Sequence, residues 1–174
     1  APPKAEGGRT SDIKKMIAQD ILNKLKEKFG EAILDAKVEG ILEPFAKVKP
    51  ENIREVAYFL RDEADLAFDY LMCLSGIDLG KGLLGVVYHL GSVSKKHRFA
   101  IRVEVPRENP NVPSVSMVWQ TANWHEREAY DMIGVVFTDH PDLRRILLPD
   151  DWDGHPLRKD YQVQEFYNGI KVPY

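Results

Sequence analysis

The sequence predicts an α+β domain with a largely antiparallel sheet, helices packed on one side of it, and a long extended C-terminal segment. Three patterns point there. Ile13, Ile17, Ile21, Leu25 and Phe29 recur every four residues, which is the stripe of an amphipathic helix. Phe99, Ile101, Val103 and Val105 alternate with Arg102 and Glu104, so one strand face is buried and the other wet. Beyond Gly134 no period persists, and Pro141, Pro149, Pro156 and Pro173 punctuate the chain. The element order is helix, strands, helix, strands, helix, which suits an α+β layer better than repeated βα units.

Taken in order, residues 1–10 read as a flexible leader, 11–134 as the α+β domain and 135–174 as the extended segment, expected to wrap partner subunits. Ser11 can cap a first helix over 12–29 and Gly30 can stop it. Short strands follow over 33–38 and 41–48. Pro50 opens a second helix over 51–63, with Ile53, Val56, Ala57 and Leu60 inward. The apolar stretch 66–79 runs into a glycine-rich turn cluster over 76–82. Strands over 83–93 and 97–105 pair through a turn at Ser94-Lys95-Lys96. Pro106, Pro110 and Pro113 make a loop. A third helix covers 123–133, with Asn123 as N-cap, Glu126 in the capping-box position and Gly134 as its end. The extended segment still holds Ile146, Leu147, Leu148, Trp152, Leu157, Tyr161, Phe166, Tyr167 and Ile170. Such side chains require a surface, either this domain's own or a partner's.

Composition excludes several functions. The chain has 174 residues, 24 Lys plus Arg against 27 Asp plus Glu, and a net charge of −3. That balance argues against a non-specific nucleic-acid coat, which needs a basic excess. The single Cys73 rules out an internal disulfide, a CxxC pair and a Cys-ligated iron–sulfur cluster within this chain. No apolar run is long enough to span a bilayer, so direct membrane insertion is not expected.

Several motifs fail on inspection. Gly80-Lys81-Gly82-Leu83-Leu84-Gly85 spells GxGxxG, but the β-rich run after it fits a glycine hairpin rather than a dinucleotide fingerprint. His125-Glu126-Arg127-Glu128-Ala129 starts like a zincin helix and lacks the second histidine. His140 and His155 stand in proline-flanked loops near carboxylates, as turn-capping histidines often do. Ser114 and Ser116 with His125 and Asp131 lack any nucleophile elbow. Cys73 is expected in the core. Two charged stretches stand out instead. Glu126, Arg127, Glu128 and Asp131 share a helix with Trp124 and Tyr130. Arg144, Arg145, Arg158, Lys159 and Asp160 are interleaved with Leu and Trp. Arginine with aromatic neighbours suits a protein–protein seam.

The residues from Ala122-Asn123-Trp124-His125-Glu126-Arg127-Glu128-Ala129-Tyr130-Asp131 through Val135 closely resemble the signature of the 30-kDa-type subunit of respiratory complex I. The likeness continues through Phe137, His140-Pro141-Asp142-Leu143-Arg144-Arg145-Ile146-Leu147, Asp150-Asp151-Trp152 and Gly154-His155-Pro156-Leu157-Arg158-Lys159-Asp160-Tyr161. Tyr88-His89-Leu90, Pro113-Ser114-Val115 and Trp119 fit as well. One departure is Asp139, where the family pattern leads one to expect Gly before His140-Pro141.

The resemblance implies a non-catalytic structural subunit in the hydrophilic arm of a membrane-bound NADH:quinone oxidoreductase. Such a chain holds no flavin and no cluster. It packs against the large quinone-site subunit, a relative of the hydrogenase large subunit, and near the iron–sulfur subunits, on the cytoplasmic side and peripheral to the membrane. The interface residues it implies are Trp124, Glu126, Arg127, Glu128, Asp131, His140, Arg144, Arg145, Trp152, His155, Arg158, Lys159, Asp160 and Tyr161. The same module in ferredoxin-dependent complexes and in group 4 nickel–iron hydrogenases is an alternative. A stand-alone metal-dependent hydrolase using His125, Glu126, Glu128, His140 or His155 is the reading from another class.

Overall fold

A computed structural model describes residues 17–172. Helix α1, Ala18–Phe29, is followed by strands β1, Ile33–Lys37, and β2, Phe45–Val48, then by helix α2, Ile53–Asp62. Strands β3, Tyr70–Gly80, β4, Leu83–Gly91, and β5, Arg98–Pro106, form the long meander. The short β6, Asn111–Pro113, precedes helix α3, Ala122–Ile133, and β7, Val136–Thr138. A small hairpin of β8, Phe166–Tyr167, and β9, Ile170–Lys171, lies near the end. The expected leader and Ser11 cap lie outside the described residues. Of the first apolar stripe, Ile21 and Leu25 are buried, while Ile17 stands before the helix and is exposed.

Five strands form one sheet in the order β1-β2-β5-β4-β3. The pairings are antiparallel except β2 with β5, which run parallel. The β4–β5 register sets Leu84, Val86, Tyr88 and Leu90 beside Val105, Val103, Ile101 and Phe99, all buried on one face. Ile53, Val56, Ala57 and Leu60 of α2 line that face against Tyr88, Leu90 and Ile101. Helix α3 reaches the same side over β3. A Cβ on Gly76 would stand 3.1 Å from the Ala129 Cβ and 3.2 Å from Ile133, so the missing side chain permits that approach.

The glycine-rich motif is a hairpin turn: Gly80, Lys81 and Gly82 all take positive φ between β3 and β4. No helix leaves it, so the dinucleotide geometry is absent. Cys73 departs from expectation. It pairs with His89 on the uncovered face, is half-buried, and its Sγ lies 3.3 Å from Ser75 Oγ. The expected second strand is shorter than 41–48, with a bent stretch preceding Phe45. Core packing continues past Gly134, since Val135 and Phe137 are buried and β7 pairs in parallel with β6. No helix among the described residues is long and apolar enough to cross a membrane.

Candidate functional site

The charged residues singled out in the sequence meet where α3 ends and the extended segment folds back. An α-helix leaves its last carbonyls without partners. At α3 the returning chain supplies them. His155 Nδ1 donates to Asp131 O at 2.9 Å, Leu157 N–H to Met132 O at 3.0 Å and Arg158 Nε to Ile133 O at 2.6 Å. Basic groups at this end also oppose the negative pole of the helix. Gly134 makes the geometry possible with φ +84°, and a Cβ there would strike the Arg158 guanidinium and the His155 ring.

Asp131 is the centre of the clamp. It is fully buried, and its Oδ2 accepts the amides of Ile146, Leu147 and Leu148 at 3.0, 2.7 and 2.9 Å. Its Oδ1 accepts Arg145 Nη1 at 2.7 Å. Burial alone would raise this carboxyl, but the three amides and Arg145 outweigh it and hold it below the ordinary aspartate value. Arg145 then reaches onward, donating through Nη2 to Trp152 O at 2.8 Å and Gly154 O at 2.9 Å. Arg127 donates to the carbonyls of Arg144 and Arg145 while its guanidinium stands over the Trp124 ring. Trp152 Nε1 donates to Tyr161 Oη at 3.1 Å.

A second anchor lies at the end of β3. Asp78 accepts Arg107 at 2.7 Å and the backbone amide of Lys159 at 3.0 Å; Arg107 also pairs with Asp160. The Lys159 and Gly80 amides, together with Arg107, hold the Asp78 carboxyl below its ordinary value. Nothing in the local sequence marks Asp78 or Arg107, because their partners are distant along the chain. For His155, burial and the charges of Arg158 and Arg145 favour the neutral ring, outweighing the Asp131 carbonyl.

Glu126 does something else again. The expected capping box is not formed: Thr121 is the N-cap, with no side-chain cap bond. Glu126 turns inward in phase with Ala122, Ala129 and Ile133, all buried. Its Oε1 accepts the Val115 amide at 2.7 Å and its Oε2 meets Ser114 Oγ at 2.6 Å. Ser114 Oγ lies 2.8 Å from Ser116 Oγ. His140 Nε2 stands 3.8 Å from Oε2 and donates to Asn123 O at 3.1 Å. Burial pushes the Glu126 carboxyl up to about 7, although the Ser114 and Val115 bonds and the Arg54 charge pull it back.

Asp139 takes φ +60°, the conformation a glycine would adopt at this position, and its carboxylate meets Arg54 Nη2 at 3.0 Å. Trp124 and Glu128 are exposed on the outer side of α3, and Arg144, Lys159 and Asp160 on the outer side of the extended segment. The hydrolase set does not converge: Ser114 meets Glu126 and not Asp131, which is committed to Arg145. Among the described residues no group of three His, Cys, Asp or Glu side chains is placed to hold a metal.

Residues 46–167 match the family model described as respiratory-chain NADH dehydrogenase, 30 Kd subunit. The chain is 52% identical over 151 residues to the C subunit of NADH-quinone oxidoreductase from Chloroherpeton thalassium, covering 86% of this chain and 63% of that protein. It is 47% identical over 167 residues to the same-named protein of Chlorobium phaeobacteroides, covering 95% of this chain and 99% of that one. The solved trypsin-resistant fragment (1–134) of Nqo5 superposes with a TM-score of 0.61 at 29% identity, over 74% of this chain and all of the fragment. One chain of the archaeal membrane-bound sulfane sulfur reductase shares the fold, with a TM-score of 0.70 at 23% identity over 83% of this chain and 85% of that one.

Proposed function

This chain belongs to the family of the 30-kDa subunit of respiratory-chain NADH dehydrogenase, and on that premise we propose that it is a non-catalytic brace in a membrane-bound NADH:quinone oxidoreductase. It belongs to the hydrophilic arm, peripheral to the cytoplasmic side of the membrane. It packs against the large quinone-site subunit and adjoins the iron–sulfur subunits. It handles no electrons; its work is to keep neighbouring subunits at fixed separation, on which electron tunnelling and the quinone chamber depend.

One observation carries the reading. The extended segment is fastened to α3 by buried charges, yet it turns apolar side chains outward. Leu147 is 62% exposed and Leu157 61%, while Trp124 on α3 is 65% exposed. A rigid backbone presenting aliphatic and aromatic groups with Arg127 and Arg144 at hand is the composition of a protein interface. The clamp positions that surface, and the surface meets the partner.

The test is purification of the assembled complex through a tag on this chain. Trp124→Asp with Leu147→Asp places charge in the outer surface and leaves Asp131 and Arg145 untouched. The expected result is loss of the large quinone-site subunit from the purified material, with an unchanged circular dichroism spectrum of the isolated variant. Full recovery of that partner contradicts the proposal. The wild-type preparation also identifies the parent assembly: flavin- and NADH-site subunits mean the quinone oxidoreductase, and a nickel subunit means a hydrogenase.

A further inference from the structure

The Glu126 cluster is not needed to explain the brace, and it has the construction of a switch. We propose that Glu126 is a proton-controlled latch on the root of the extended segment: with the carboxyl uncharged the turn at 139–142 stays seated on α3, and ionisation of the carboxyl releases that turn.

The immediate surroundings of the carboxyl suit its uncharged form. It has no exposed surface, and among the described residues no Lys or Arg side chain bonds to it. Its partners are a backbone amide and the Ser114 hydroxyl. The neutral acid fits this setting without strain. A proton on Oε2 is donated to Ser114 Oγ across the same 2.6 Å, and Ser114 turns its own hydrogen to Ser116 Oγ at 2.8 Å. Both of those hydrogens then have an acceptor. A buried carboxylate in the same place is bonded only to dipoles, with the Arg54 charge committed elsewhere, a costly arrangement in a low-dielectric interior.

The remaining groups facing the site come from four elements. Tyr88 of β4 sends a buried hydroxyl, without a hydrogen-bond partner among the described residues, into this core, and burial together with the Glu126 charge opposes its ionisation. Arg54 of α2 is committed to Ser114 O at 3.0 Å, Thr138 O at 3.3 Å and the Asp139 carboxylate, so it exerts only a distant pull. Ser114 and Ser116 lie between β6 and α3. His140 of the extended segment stands 3.8 Å from the carboxyl without bonding to it. Its ring bridges α3 and the turn: Nε2–H donates to Asn123 O at 3.1 Å, and Nδ1 accepts the Asp142 amide at 3.0 Å. A charged Glu126 draws the Nε2–H across the 3.8 Å gap, away from Asn123 O. The rotation that follows gives up the Asn123 and Asp142 bonds, through which the ring ties the backbone of the turn to α3. The burial-raised carboxyl puts this transition near neutrality, with the seated form on the acid side.

Amide exchange of the full chain, corrected for its intrinsic pH dependence, tests the latch at residues 140–144. Protection is expected to fall about tenfold between about pH 6 and about pH 8.5, at a level well below that of the β4 amides throughout, so that local opening rather than global unfolding is read. Glu126→Gln, uncharged throughout, is expected to keep protection flat. A flat wild type, or the same fall in the Gln variant, overturns the proposal, the second outcome assigning the effect to a group other than Glu126. If the variant does not fold, carbon-detected titration of Glu126 in the wild type decides. A midpoint shared with the Asp142 amide supports the latch and a separate midpoint refutes it.

Discussion

Glu126 and Asp131 share one helix, and both are completely buried, yet their surroundings shift the two carboxyl groups in opposite directions. Asp131 faces the returning chain, where three amides and Arg145 favour its ionised form. Glu126 faces the core, where hydroxyls and one amide leave burial in control. Burial therefore does not decide ionisation; the supply of donors does. The Asp131 side fastens the segment and the Glu126 side makes its root responsive.

The largest effect is expected at Asp131. Asp131→Asn removes the buried charge paired with the largely covered Arg145 and weakens the acceptor for three amides, so a loss of about 3–5 kcal/mol in denaturant unfolding is predicted. Proteolytic cleavage within 140–160 should accelerate with it. An equal loss from Glu126→Gln would erase the contrast between the two acids, because a neutral side chain is what that site favours.

The pH profile sharpens the same contrast. Glu126 rises from 4.5 to about 7 on folding, so its contribution is complete below 4.5 and disappears as pH climbs through about 7. Up to about 3 kcal/mol is lost there by linkage. Asp131 runs the other way: its lowered carboxyl contributes stability above its ordinary value of 3.8, which is lost as acid protonates the folded form. Thermal unfolding across pH should show a maximum on the acid side of neutrality, and Glu126→Gln should remove only the decline between 4.5 and about 7.

Smaller effects probe the framework around both acids. Gly76→Ala pushes a methyl against Ala129 and Ile133, whose backbone is fixed in α3, and should cost about 1–3 kcal/mol in chemical denaturation. Arg158→Ala uncaps the Ile133 carbonyl and should cost about 1–3 kcal/mol, lowering the yield of assembled complex without bleaching any cofactor. Its guanidinium bonds a carbonyl, so the penalty is that of an unsatisfied acceptor rather than a broken ion pair. The least is expected at Asp139→Gly. Relief of positive φ and loss of the exposed Arg54 pair oppose each other, leaving a net change within about 1 kcal/mol.

Much of the fold is legible in the sequence because its signals are local. The alternation from Phe99 to Val105 marks a strand with Arg102 and Glu104 on the wet side, and the structure places them so. The glycine hairpin at Gly80–Gly82 needs only the β-rich run after it. The parallel pairing of β2 with β5 is not legible, since no local pattern records which distant strand becomes a neighbour. At the site, the residue types are readable but the pairings are not. Asp131 and Arg145 look like seam residues, whereas their mutual bond depends on a chain reversal held largely by backbone groups. Glu126 carries two conflicting signals. Its place in the Ala122, Ala129, Ile133 phase marks it as inward, but its spacing from Asn123 suggests a cap, and the inward signal wins. Asp139 takes the positive φ that favours glycine, so the turn has the backbone geometry that the expected glycine would supply.

The brace is tested most directly by photo-crosslinking from position 147 in the assembled complex. A cross-linker replacing Leu147, compared with one replacing Lys37 at the far edge of the sheet, reads whether the outward face of the fastened segment meets a sister subunit. A strong adduct to the large quinone-site subunit is predicted from 147, and a weaker one, or none, from 37. Equal adducts from both positions, or none from 147, would contradict the brace.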